Sequence, residues 1–343
     1  MCPVHGVAMQ AHDPYYAWRL DALDHPYKLQ CPVGKEWYPS NDYINGDMTG
    51  GEFPDDGGGI LRDGKRYFVL REYAHRVYRD VVVPALGALS QAYLLSGDSR
   101  YAHKCAVLLT RLASEYPNYG WGGAEPEMED RSERTFYGPW NFSDPQPPHA
   151  KGGLISNGIW ECSYLITIGR AYDALFAAIE ADAALLAFAR GKGLNVTTAD
   201  GLRQYMESYL LRAGAHALIA DYIHANEGGS QRTAAELALL YDNFTDRRPN
   251  SIDLLDYAFF GRSGACNLVG CGIYPDGGGH ESPFYNTSKF GLISVAQRLE
   301  DMRLLHPGCL PVERYPDIFA NPRARAMFDY YVDMTICDGY LPL

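Results

Sequence analysis

Two segments of this 343-residue chain carry side chains able to hold an anion and to move a proton. The first is His224-Ala225-Asn226-Glu227-Gly228-Gly229-Ser230-Gln231, which sets amide, carboxylate and imidazole groups beside two glycines at a helix start. Backbone N–H groups at such a start favour a carboxylate or another anion. A plain helix–loop–helix turn capped by Ser230 or Asn226 is the alternative reading of the same residues. The second segment is Tyr274-Pro275-Asp276-Gly277-Gly278-Gly279-His280-Glu281-Ser282-Pro283-Phe284-Tyr285-Asn286. Its three glycines permit close backbone approach by a ligand. His280, Glu281 and Tyr285 then offer three groups for proton transfer. A tyrosine serves as a base only where nearby cations or donors lower its pKa, and only within hydrogen-bond reach of its proton.

The stretch Asp276 to Asn286 resembles the "DG…E-S-P-x-Y-H" segment of the heparinase II/III-like polysaccharide lyases, which include oligo-alginate lyases. Asn226…Gln231 resembles that family's "N-x-x-x-x-Q" helix-start segment. Ile155-Ser156-Asn157…Trp160…Leu165…Ala171-Tyr172-Asp173-Ala174-Leu175 resembles its helix ending in "A-Y-D". Ile336-Cys337-Asp338-Gly339-Tyr340-Leu341-Pro342 resembles its closing "P-D-G-x-L-P" stretch. The similarity covers residues 70–343. It implies an α/α toroid followed by β-sandwich domains, and cleavage of a uronate-containing polysaccharide by β-elimination.

Under that reading, abstraction of the uronate C5 proton places negative charge on the carboxylate, and Asn226 stabilises it as an oxyanion donor. Tyr285 takes the proton and returns one to the leaving 4-oxygen. Gln231 orients the site from the next helix, and His280 supports or shuttles the proton. Glu227, His224 and Glu281, with Trp121 and Trp140 at the rim, complete the expected substrate-binding set. The chain departs from the family where Glu227 follows Asn226, a place where some members carry His. An ionised Glu227 would repel a uronate, so it points away, stays protonated or binds a sugar hydroxyl. Such lyases also recruit a His from the β-sandwich, and the chain stops before any such domain, which reads as a fragment. Two other functions fit the residues. An α/α-barrel hydrolase of the unsaturated uronyl type would use carboxylates such as Asp276 and Glu281. A non-catalytic glycan-binding toroid would keep only the aromatic groove.

The elements that must hold these loops read as helices. Apolar residues recur at helical spacing from Glu72 to Gly97, with a kink at Pro84, and again from Ser99 to Pro117. Further helices are predicted over 158–181, 200–223, 229–244, 250–261, 287–305 and 322–336. Long loops over 118–153 and 262–286 separate them. The first holds Trp121, Trp140 and the acidic run Glu125, Glu127, Glu129, Asp130 and Glu133, which lacks regular oxygen-ligand spacing and reads as solvated. Valine- or isoleucine-rich alternating strands are missing between the helices, which disfavours Rossmann and TIM architectures. The expectation is a mainly α fold, an (α/α) toroid or incomplete barrel over 68–343, preceded by an irregular Gly/Pro/Tyr-rich arm over 1–67.

Composition narrows the partners. A formal net charge of −12 without a basic block argues against nucleic acid and anionic membranes. An anionic polysaccharide or oligosaccharide stays compatible, because a cleft can be locally positive and the far field is screened over about 8–10 Å in salt. The 26 tyrosines suit sugar binding, since a ring covers a pyranose face while its hydroxyl bonds the edge. There is no basic n-region followed by an apolar h-region at the N-terminus. A periplasmic or secreted location is expected if the full-length protein carries a signal peptide. The eight cysteines are scattered. Cys2-Pro3-Val4-His5-Gly6 and Cys31-Pro32-Val33-Gly34 echo one another and, with His5, could hold zinc. Without a CxxC pair they read instead as similar turns with buried thiols, and no cofactor is expected.

Overall fold

The structure, a computed structural model, describes residues 1–116, 159–219, 223–241, 248–261 and 263–335. These residues are mainly helical, as the periodicity predicts. The chain divides into two compact units, Met1–Pro84 and Ala85–Leu343.

In the first unit, the Gly/Pro/Tyr-rich arm is ordered around a core of its own. Strands β1 (Arg19–Leu20), β2 (Leu29–Gln30) and β3 (Trp37–Tyr38) form an antiparallel sheet in that order. Leu29 sits opposite both Leu20 and Tyr38. Strands β4 (Ile60–Arg62) and β5 (Lys65–Tyr67) make a hairpin. Cys2, Met9, Trp18, Leu29, Cys31, Tyr38, Ile60 and Val69 are buried together. The Trp18 ring meets Tyr38 edge-on at 5.9 Å, and Tyr38 meets Phe53 at 5.4 Å. With strands this short, side-chain to backbone bonds do much of the holding. The buried Asp55 carboxylate accepts from Gly57 and Gly59 N–H at 2.8 and 2.9 Å on one oxygen, and from Val69 and Leu70 N–H at 3.0 Å on the other. It thus caps helix α1 (Val69–Val77), whose own N-cap, Phe68, has no side-chain acceptor. A π turn over Tyr78–Val82 follows, closed by Val83 N–H on the Tyr78 carbonyl. The extra residue in this wide turn precedes Pro84 and accommodates its ring and missing N–H without breaking the helical run.

The second unit is built from helices α2 (Val83–Ser96), α3 (Ser99–Glu115), α4 (Trp160–Ala181), α5 (Ala183–Gly191), α6 (Ala199–Met206) and α7 (Arg212–Ile219). Then come α8 (Gly229–Ala238), α9 (Ser251–Phe260), α10 (Ala265–Asn267), α11 (Pro283–Asn286), α12 (Gly291–Leu305) and α13 (Pro322–Asp333). Asp98, Thr198, Asn250 and Asn321 cap helix starts through side-chain oxygens, so polar residues just before apolar runs set the boundaries. Helix α5 lies where no helix was predicted. Asp182 creates it, accepting from Leu185 N–H at 2.8 Å immediately after α4 ends. The predicted 262–286 loop is partly helical, through α10, a π turn over Leu268–Gly272, and α11.

Helix α8 is the hub, packed on α4, α9 and α12. Its residues Ser230, Gln231 and Thr233 to Ala238 are all buried. Alanines and other small residues let three helices approach it, and the polar ones are satisfied internally. The Thr233 hydroxyl donates to the Cys162 carbonyl at 3.0 Å. Nearby, Arg212 and Glu207 form a buried ion pair at 2.9 Å, and the guanidinium also covers the Tyr241 ring at 4.4 Å. Burial pushes the Tyr241 hydroxyl well above the ordinary phenol range, so it stays protonated.

Candidate functional site

The loop from His224 to Gln231 is held by its own side chains. Ala225 N–H donates to Ser230 Oγ at 2.8 Å, and Gly229 N–H donates to the Asn226 carbonyl at 2.8 Å. Gly228 has φ +89° and opens α8, and its N–H donates to Gln231 Oε1 at 2.9 Å. Gln231 is 1% exposed, so it positions the turn from within. His224 is exposed, while Asn226 and Glu227 are half-buried. Among the described residues no hydrogen bond ties down the Asn226 carboxamide.

The second loop folds on itself and then runs into helix. Tyr274 N–H donates to the Gly278 carbonyl and Gly277 N–H to the Tyr274 carbonyl, both at 2.9 Å. Asp276 Oδ1 accepts from Gly278 N–H at 3.0 Å. Asn286 is buried and donates from Nδ2 to the Glu281 carbonyl at 2.7 Å. Its Oδ1 accepts from Lys289 Nζ, whose side chain is 1% exposed. His280 and Glu281 are exposed, and Tyr285 on α11 is 54% exposed with its ring edge-on to Phe284.

These two loops, far apart in sequence, are welded backbone to backbone. A Cβ on Gly228 would lie 2.4 Å from the Ser288 carbonyl oxygen, and a Cβ on Gly291 would lie 2.1 Å from the Gly228 carbonyl oxygen. Only glycine fits at either place, and at Gly228 the left-handed backbone demands it as well. The weld brings Glu227 to a lysine and a histidine. Lys289 Nζ lies 3.5 Å from Glu227 Oε2, and His280 Nε2 lies 3.9 Å from Oε1. None of the three expected fates of Glu227 included a partner: the structure pairs it with Lys289, which offsets the charge that would repel an anionic sugar. Lys289 escaped the sequence reading. Its only signal was the spacing Asn286 to Lys289, one helical turn, next to a Gly-rich loop. Trp121 and Trp140, expected at the rim, and the acidic run lie outside the described residues.

Elsewhere, and unforeseen, lies an open groove of about 570 Å³ lined by Arg170, Asp173, Glu236, Arg298, Asp301 and neighbouring leucines. Its buried Glu236 is met by Arg170 at 3.0 Å and Arg298 at 3.5 Å, and Arg298 also meets Asp301 at 2.6 Å. Each guanidinium is already engaged by a carboxylate, so among the described residues the groove offers an anion no unpaired cation. Exposed Leu304 and Leu305 give it an apolar edge.

No protein-family model matches the chain, and no match is found among the curated proteins. None of the described helices is long and apolar enough to cross a membrane.

Proposed function

We propose that the unit Ala85–Leu343 acts as a polysaccharide lyase on a uronate-containing chain, with its helices arranged as an α/α toroid. The observation that carries this reading is the weld of the Asn226 turn to the His280–Lys289 segment. It joins the Asn226 carboxamide, a carboxylate paired with Lys289, the His280 imidazole and an exposed tyrosine-bearing helix in one region.

In the proposed reaction the Asn226 amide donates to the uronate carboxylate and stabilises the enolate-like charge that develops there. Tyr285, as phenolate, takes the C5 proton. The C5–H electron pair becomes the C4=C5 double bond, the C4–O bond breaks, and the leaving oxygen receives the proton from Tyr285. Lys289 pairs with Glu227, and His280 serves as a proton relay. Exposed Tyr274, Phe284 and Tyr285 provide ring faces for sugar stacking.

The test is a panel of uronate polysaccharides, including alginate, heparan and ulvan, incubated with the protein. β-Elimination leaves an unsaturated uronate that absorbs at the ultraviolet edge, and its appearance with at least one substrate is the expected result. New reducing ends without that absorbance would assign hydrolysis instead. Binding without cleavage of any kind would leave a glycan-binding toroid.

A further inference from the structure

The first unit holds a second chemistry-bearing cluster, which the lyase reading does not use. Cys2, His5 and Cys31 lie with their ligand atoms all within 4.8 Å of one another. Cys2 Sγ and Cys31 Sγ are 3.6 and 3.5 Å from the same His5 nitrogen, Nδ1. Around a tetrahedral zinc ion, with Zn–S of about 2.3 Å and Zn–N of about 2.0–2.1 Å, sulfur and nitrogen stand about 3.5 Å apart. The cluster already has that spacing. Glu36 Oε2 lies 3.8 Å from His5 Nδ1, and the carboxylate is folded back over Gly34.

The backbone supports the sulfurs in the same way on both sides. The Cys2 carbonyl accepts from Gly6 N–H at 3.0 Å, and the Cys31 carbonyl accepts from Lys35 N–H at 3.0 Å. In each turn the residue four after the cysteine has positive φ, +48° at Gly6 and +68° at Lys35. A lysine adopts that region only at a cost, so the turn is imposed by what it presents. Val4 and His5 N–H point at Cys2 Sγ at 3.3 and 3.4 Å, as suits a thiolate that a metal would hold. Both cysteines are fully buried. The unit around them has strands of two or three residues and a small core, the setting in which a metal or a disulfide commonly supplies missing stability.

We propose that Cys2, His5 and Cys31 bind a structural zinc ion that holds the two Cys-Pro-Val turns together. The test uses the full chain, dialysed against metal-free buffer and read by elemental mass spectrometry. Roughly one zinc per chain is expected, as for a structural site, with loss of most of it in Cys2→Ser and Cys31→Ser. Replacement by cobalt should give the visible bands of a tetrahedral site with thiolate charge-transfer absorption. Should the serine variants not fold, native alkylation of the wild type decides. Cys2 and Cys31 should resist iodoacetamide with zinc bound and react after chelation, while exposed Cys266, Cys271 and Cys309 react in both states. Zinc-free protein that also fails to take up added zinc or cobalt would overturn the proposal. So would a Cys2–Cys31 disulfide, seen as a mass lower by two hydrogens, in protein isolated without added oxidant.

Discussion

At the scale of single residues, the proposed chemistry rests on Tyr285 and Asn226, and each can be removed with little effect on packing. Tyr285 is exposed, so Tyr285→Phe should leave the fold intact. A positioned acid–base group contributes about 10²–10⁴-fold in rate, and kcat on the active uronate polymer should fall by at least that much with KM little changed. Asn226→Ala should lower kcat by about 10²–10³-fold, the effect of removing an oxyanion donor. Near-normal turnover by Tyr285→Phe would rule out this mechanism. Lys289 is a different case, because it is buried against Glu227 and Asn286. Lys289→Met leaves both acceptors without their cation and should cost about 1–3 kcal/mol in denaturant unfolding. Adding Glu227→Gln should restore part of that loss, since the unpaired charge is then gone. A double variant no more stable than Lys289→Met alone would show that the Glu227–Lys289 contact contributes little.

At the scale of elements, the decisive contact is between a helix start and a loop. Gly228 opens α8 with a left-handed backbone and no room for a side chain. Gly228→Ala must both strain φ and push Ser288 away, moving Asn226 relative to the His280–Lys289 segment. Lyase turnover should then drop more than 10-fold, because small displacements of positioning groups are costly to rate. The melting temperature should also fall. Gly270→Ala is the comparison, since a Cβ there would meet nothing within 4 Å. It should do less damage to turnover, and equal damage would argue against the weld as the positioning element.

At the scale of the whole molecule, the net charge of −12 sets a long-range field that opposes a polyanion. Salt screens that field, with a Debye length that falls from about 30 Å at 0.01 M to about 8 Å at 0.15 M. Raising salt across this range should therefore increase kcat/KM on a long uronate polymer. The effect should be much weaker on a short oligosaccharide, which samples mainly the local charges around Glu227, Lys289 and His280. A fall in kcat/KM with salt on the polymer would mean that a local cationic patch outweighs the net charge.

The helical class and most helix positions were legible in the sequence by itself, because the 3.6-residue period is a local signal. Helix α5 escaped because its start depends on one capping side chain, Asp182, placed directly after the preceding helix. The candidate loops were legible too, since glycine runs beside His, Glu, Asn and Tyr stand out by residue type. What those loops touch was not. No periodic pattern says that Gly228 must land on Ser288 and Gly291, or that Lys289 must reach Glu227. The same holds for the metal-like cluster. The likeness of the two Cys-Pro-Val turns is a property of sequence, but only the fold of the first unit brings Cys31 to His5 and Cys2. Contacts between segments remote in the chain depend on how whole elements pack, and that information is spread over every buried side chain between them.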